Sequence, residues 1–215
     1  MHRRQYVGSL AVACAGSLAG CGFITGSEAL TFDASAATAS SDALSETGYE
    51  EQRVSEQVVT RNFTVADQTR QVEVTNQLAR YEREVELGVL GPQRAAVFVT
   101  FASPEVEVAS QTFNPIEDLS EREILGQFES QYGDIDVGDR VGSQNVTALG
   151  QSTELQQFEG TATLAGSEVD VYIHATKFEH DGDYVVAVGI YPQRLDGEDE
   201  NVVVLVEGLE HSGEA

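Results

Sequence analysis

The segment from Phe158 to Tyr191 constrains the fold more than any other part of the chain, because two turn signals there share one strand. A two-residue loop at Gly166-Ser167 would pair Leu164 with Val169, Ala162 with Val171, Gly160 with Ile173 and Phe158 with Ala175. A two-residue loop at Asp181-Gly182, a dipeptide suited to a type I′ turn, would pair Ala175 with Val188 and Ile173 with Ile190. Both loops put the same residues of the middle strand on one apolar face. A one-residue slip in either would send them to the other side. The opposite face then carries Glu159, Thr161, Asp170, Tyr172, His174 and Tyr191, and is largely polar.

Elsewhere the pattern alternates between strand and helix signals. Gln57–Val65 and Thr69–Tyr81 read as strands flanking the hairpin-length connection Ala66-Asp67-Gln68. Ala95–Phe101 is apolar almost throughout, as a central strand buried on both faces would be. Ser120 and Glu123 form a capping box, followed by the stripe Ile124, Leu125, Phe128 and Tyr132 and a stop at Gly133. A shorter helix is expected around Ala39, Ala43 and Leu44, ending at Gly48. The last segment, Asp196–His211, fits two states. Val202-Val203-Val204 favours a strand, whereas Val202, Leu205, Val206 and Leu209 make a helical stripe with acids at its positive end. The helix is the preferred reading. The whole predicts one α+β domain over residues 30–211, an antiparallel sheet with helices packed on one face.

Charge limits the partners. The chain has 36 Asp and Glu against 12 Lys and Arg, a formal net charge of −24 over 215 residues. Only Lys177 among the basic residues is a lysine. Phosphate contacts need basic side chains to release counterions, so nucleic acid is excluded as a partner. Adhesion to anionic lipid heads by charge alone is disfavoured for the same reason. The 41 % hydrophobic content is too high for a disordered acidic polymer. The acids are scattered from Glu28 to Glu214 rather than blocked, which resembles the surfaces of halophilic proteins. At molar salt the Debye length falls to about 3 Å, so self-repulsion is screened. The protein is therefore expected to lose stability between molar and dilute KCl. Equal unfolding midpoints in the two would overturn that reading.

The N-terminus reads as an address. Arg3 and Arg4 precede an uncharged stretch from Val7 to Ala19, too short to span about 30 Å of hydrocarbon. Leu18-Ala19-Gly20-Cys21 resembles a lipobox, which implies lipidation of Cys21 and a membrane anchor on the outer face of the cell. Arg3-Arg4-Gln5-Tyr6-Val7 resembles a twin-arginine export motif, with His2 and Tyr6 departing from its usual residues. On this reading residues 1–20 are a signal peptide and 21–29 a lipidated tether. Removing the signal takes two positive charges and no acid, and it leaves no disulfide and no free thiol in the domain.

The order of strands, helix, meander and terminal helix resembles the PsbP-like fold, best over Phe158–Leu209. With its signal, the chain looks like an uncharacterised family of haloarchaeal lipoproteins. That resemblance implies a non-enzymatic accessory role, exercised by binding or by assembly with a protein partner.

The residues themselves offer little chemistry. No Ser lies in a Gly-x-Ser-x-Gly elbow, and no nucleotide-binding glycine pattern is present, so neither a catalytic residue nor a cofactor is assigned. Three histidines follow the signal: His174, His180 and His211, the last in an expected frayed tail. The register puts His174 opposite Glu159 and Gly189, flanked by Tyr172 and Tyr191. Glu159, Tyr172, His174 and Tyr191 thus form a candidate face for a small solute or cation, against the plainer reading of a charged cross-strand pair on a solvated sheet. Asp134, Asp136 and Asp139 lack the spacing of a calcium loop, and no metal ligand set is assigned. Asn62 and Asn145 head glycosylation sequons.

Overall fold

β-branched and aromatic residues recur through most of the chain after Glu50, and they build one large sheet. The computed structural model describes residues 29–65, 68–86, 88, 91–108, 111–114, 116–132, 135–164 and 166–211. The export signal, Cys21, Asp134 and Gly133 lie outside the described residues. In chain order the elements are β1 (Leu30–Asp33), β2 (Ala37–Ala39), α1 (Ser41–Thr47), β3 (Glu50–Val65), β4 (Gln68–Glu86), β5 (Pro92–Pro104), β6 (Val106–Val108) and β7 (Gln111–Phe113). They continue with α2 (Glu121–Tyr132), β8 (Ile135–Ala148), β9 (Gln151–Leu164), β10 (Ser167–His180), β11 (Asp183–Pro192), α3 (Glu198–Glu207) and β12 (Leu209–His211).

The main sheet has eight strands among the described residues, in the order β1-β4-β5-β11-β10-β9-β8, with β3 also paired to β4. It is mixed, not purely antiparallel as expected. β1 runs parallel to β4 along Val72–Thr75, the part of β4 that β5 leaves free, since β5 pairs with Gln77–Glu86. A strand of four residues with no hairpin of its own gives no orientation signal in sequence.

Both expected meander hairpins are present. Asp181 and Gly182 have φ of 50° and 81°, the paired positive values a type I′ turn requires. Ala175 faces Val188 and Ile173 faces Ile190 as read from the sequence. The other hairpin is displaced by two residues: Leu164 closes on Ser167, so that Ile173 faces Phe158 and Val171 faces Gly160. Gly166, with φ 77°, occupies the last loop position rather than the first. A slip of two keeps every side chain on its face. For that reason the apolar pattern could not detect it.

Helices cover both faces, not one. Helix α2 packs Ile124 and Leu125 on the face of Phe158, Ile173, Val186 and Val188. Helices α1 and α3 pack on the other, where Ala43, Val202, Leu205 and Val206 meet Tyr81, Phe98, Ala187 and Tyr191. The second face holds enough tyrosine and alanine surface to require cover, though its polar atoms made it look solvated. Val202, Leu205 and Val206 are fully buried on α3, so the terminal stripe is helical as preferred except at Leu209, which begins β12. Each such side chain stabilises the packed helix by roughly 1.5–3 kcal/mol. The glycine opposite His174 follows from this packing: a Cβ on Gly189 would stand 2.6 Å from a Val202 methyl.

Local signals explain where the helices start. Ser40 Oγ accepts from the Ala43 N–H at 3.3 Å, and Gly48, at φ 71°, closes α1. At α2 the capping box is reciprocal: Ser120 N–H donates to Glu123 Oε2 at 2.8 Å and Glu123 N–H to Ser120 Oγ at 3.3 Å. These hydrogen bonds to Ser120 hold the Glu123 carboxyl below the usual carboxylate range. Lys177 fixes the approach to α2, donating to the carbonyls of Ile116, Glu117 and Leu119 at 2.7–3.0 Å. His211 is not in a frayed tail. It is buried in β12, which pairs with β2.

Candidate functional site

The sequence-derived face is brought together only in part. His174 and Tyr191 lie at 3 % and 2 % exposure beneath α3, and His174 Nε2 meets the Tyr191 hydroxyl at 2.9 Å. Tyr172 packs edge-on against Tyr191, with ring centroids 6.0 Å apart. Glu159 does not join them: it is exposed and faces Tyr172, and His174 faces Gln157 instead. The two-residue displacement of the hairpin accounts for this. Burial lowers the His174 pKa to about 4, and Asp199 opposes that shift only weakly. Burial likewise raises the Tyr191 hydroxyl. Burial keeps the ring neutral at pH 7, and the cluster lies between the meander and its covering helix.

The open surface is on the other side of the sheet. Helix α2 covers β8 and β10 but stops short of β4 and β5, leaving a cavity of about 450 Å³. Leu78, Val97, Val99, Ile173, Val188 and Ile190 floor it, and Leu125 and Val137 close one end. Val97 and Val99 are half-buried, which corrects the expectation that Ala95–Phe101 is covered on both faces. Its inner side, with Ala96, Phe98 and Thr100, is buried as expected.

The cavity's rim concentrates positive charge. Arg53, Arg80 and Arg94 line it from β3, β4 and β5. Arg53 and Arg80 are cross-strand partners, an unfavourable like-charge pair in itself. Glu82 offsets part of the excess, lying 2.7 Å from Arg80 and 3.9 Å from Arg94. Arg53 has no ion-pair partner among the described residues. At the far end Glu129 is engaged by Arg122 at 3.6 Å and by the Val137 N–H, so it does not cancel the rim. An apolar floor with a few polar groups at its edge is the usual form of a small-molecule site.

The sequence profile of the "domain of unknown function (DUF6517)" matches residues 36–210. The chain belongs to the DUF6517 family. No curated protein matches it in sequence. Among solved structures, it is similar to the solution structure of cyanobacterial PsbP (CyanoP) from Synechocystis sp. PCC 6803. That likeness has a TM-score of 0.36 and 8 % identity over 84 % of this chain and 94 % of that one.

In this DUF6517 domain the arginine rim escaped sequence reasoning, although a signal for it existed. Val65 faces Gln68 rather than Thr69, one residue off the register that a three-residue connection gives, and this pairs Arg53 with Arg80. Two arginines in register are conspicuous in a chain with 12 basic residues. The sequons lie where a glycan has room: Asn62 on β3 and Asn145 on β8 are both exposed.

Proposed function

We propose that the chain is an exported binding protein of a high-salt organism, anchored by lipid at Cys21 to the outer face of the membrane. It holds a small amphipathic anion in the cavity on β4, β5 and β11 and catalyses no reaction. The observation that carries this reading is the arginine-rimmed apolar cavity in a domain otherwise rich in acid. The apolar floor suits a hydrocarbon or ring body, and the excess guanidinium at the rim suits a carboxylate, sulfonate or phosphate head. Cys21, Arg3 and Arg4 supply the export and anchoring part of the proposal, and the dispersed acids supply its setting.

The probe is 1-anilinonaphthalene-8-sulfonate, titrated in molar KCl with fluorescence detection. Saturable binding at one equivalent is expected. Val97→Glu, which puts a carboxylate on the floor, abolishes it. Arg94→Gln weakens it about two- to fivefold, the worth of one exposed charge contact. Absence of saturable binding, or equal binding by the wild type and both variants, overturns the proposal. Circular dichroism of each variant excludes binding by an unfolded fraction.

A second reading rests on a separate observation. β3 borders the sheet with Val54, Val58 and Val59 at 42 %, 56 % and 37 % exposure, an edge open to strand addition by a protein partner. Affinity capture from membranes at native salt separates the two. A co-purifying small anion supports the cavity reading, and one reproducible protein supports assembly.

A further inference from the structure

A second cluster stands apart from the cavity, at the tip of the β10–β11 hairpin. Asp181 and Gly182 make the turn, and the Gly182 carbonyl accepts from the Glu105 N–H at 2.8 Å, which holds the tip in place. His180 precedes the turn and Asp183 follows it, as a cross-strand pair. Strand β12, held by β2, brings His211 against them. Two of the chain's four histidines are thus gathered at one point by two separate strand pairings.

Their ring orientations are determined by the neighbours. Asp183 Oδ2 accepts from the Ser35 N–H at 2.8 Å and lies 3.0 Å from His211 Nε2. An ionised carboxylate only accepts, so Nε2 carries the His211 proton and Nδ1 presents its lone pair. That lone pair faces His180 Nδ1 at 2.9 Å. Asp181 Oδ2 lies 3.6 Å from the same His180 nitrogen. The donor atoms of His180, His211 and Asp181 all fall within 4.8 Å of one another.

We propose that His180 Nδ1, His211 Nδ1 and the Asp181 carboxylate bind a divalent transition-metal ion of the zinc class. Without metal, the two Nδ1 atoms meet through a single shared proton. With metal, the ion takes that place, and the His180 proton moves to its other ring nitrogen. Two zinc–nitrogen bonds of about 2.0–2.1 Å at a tetrahedral angle hold the nitrogens roughly 3.3 Å apart, a few tenths of an ångström beyond the present separation. Asp181 is 62 % exposed and free to turn inward. Its exposure also leaves the fourth position open to water. Two imidazoles select against calcium and magnesium, which take oxygen ligands. Asp183 is the outer carboxylate that fixes the tautomer and orientation of a metal-bound histidine. A bound ion would join the hairpin tip, the C-terminal strand and, through Ser35, the segment between β1 and β2.

Zinc titration of the full chain tests this, with its cysteines alkylated, in molar KCl and excess Mg²⁺ to occupy surface carboxylates. One equivalent is expected to bind and to raise the melting temperature. His180→Ala, at the half-buried turn, lowers affinity more than about 100-fold and removes the thermal shift. Asp183→Asn lowers affinity about 10–100-fold, as loss of an outer carboxylate does. Cobalt in place of zinc gives the visible bands of a four-coordinate ion in the wild type and not in His180→Ala. No one-equivalent binding by the wild type, or binding by His180→Ala within threefold of it, overturns the proposal.

Discussion

Glu198→Ala is expected to cost about 3–5 kcal/mol of folding stability, measured by denaturant unfolding in molar KCl. The Glu198 side chain is completely buried at the first turn of α3, where Gly197 offers no side-chain cap. It accepts from the Tyr49 hydroxyl at 2.7 Å and from Asn201 Nδ2 at 3.2 Å, and it pairs with Arg83. Burial drives the Tyr49 hydroxyl well above the ordinary phenol range, so it stays a donor at any working pH. Removing the carboxylate leaves a largely buried guanidinium and a buried phenol without their acceptor. The cost comes from those orphans more than from the bond itself. Two further variants separate the effects. Arg83→Met alone strands the carboxylate and costs a similar amount. Glu198→Met with Arg83→Met recovers much of the loss, because both charges are gone. High salt screens exposed pairs but reaches this one poorly, so molar KCl does not rescue Glu198→Ala. A loss under 1 kcal/mol would show that the pair is not what holds α3 down.

The same residue shows how far the sequence could be read. Asp196, Glu198, Asp199 and Glu200 look alike there, as acids at the positive end of a helix. The helix was legible from that signal and from its apolar stripe. Nothing local distinguished Glu198, which is buried, from Asp199 and Glu200, which are exposed. The difference lies in Arg83 and Tyr49, more than a hundred residues away, which β3–β4 pairing sets side by side and the docking of α3 on the sheet brings to Glu198. Short-range signals survived in the same way elsewhere: the Ser120–Glu123 box, the Gly48 stop and the Asp181-Gly182 turn all formed. Long-range ones did not. The parallel partner of β1, the cover over His174 and the docking of His211 each depend on contacts that period and propensity do not encode. The cavity falls between these cases. Its floor was visible as the apolar run at Ala95–Phe101, but the end of α2 decides which of those residues stay open.

Acid should weaken the fold through His174, by about 2 kcal/mol between pH 8 and pH 5. The unfolded imidazole titrates near 6.5, and burial lowers the folded value to about 4. Between those values the unfolded chain binds the proton and the folded chain does not. The contribution is fully present above about pH 7, declines as pH falls below 6.5, and is exhausted near 4. Its full size is about 3 kcal/mol, at 1.36 kcal/mol per unit. His174 Nδ1 is buried with no hydrogen-bond partner among the described residues, so a proton placed there would meet no acceptor from them. Asp199 is too exposed to compensate. A competing effect runs the other way: protonating the many surface carboxylates relieves their mutual repulsion, most of all in dilute salt. The clean measurement is therefore a difference between proteins. His174→Phe keeps a ring under α3 but cannot titrate, and it shares every surface acid with the wild type. Across pH 8 to 5 in molar KCl, the wild type should lose about 2 kcal/mol more than His174→Phe. Matching losses within about 0.5 kcal/mol would mean that the buried imidazole takes up its proton without opening the fold.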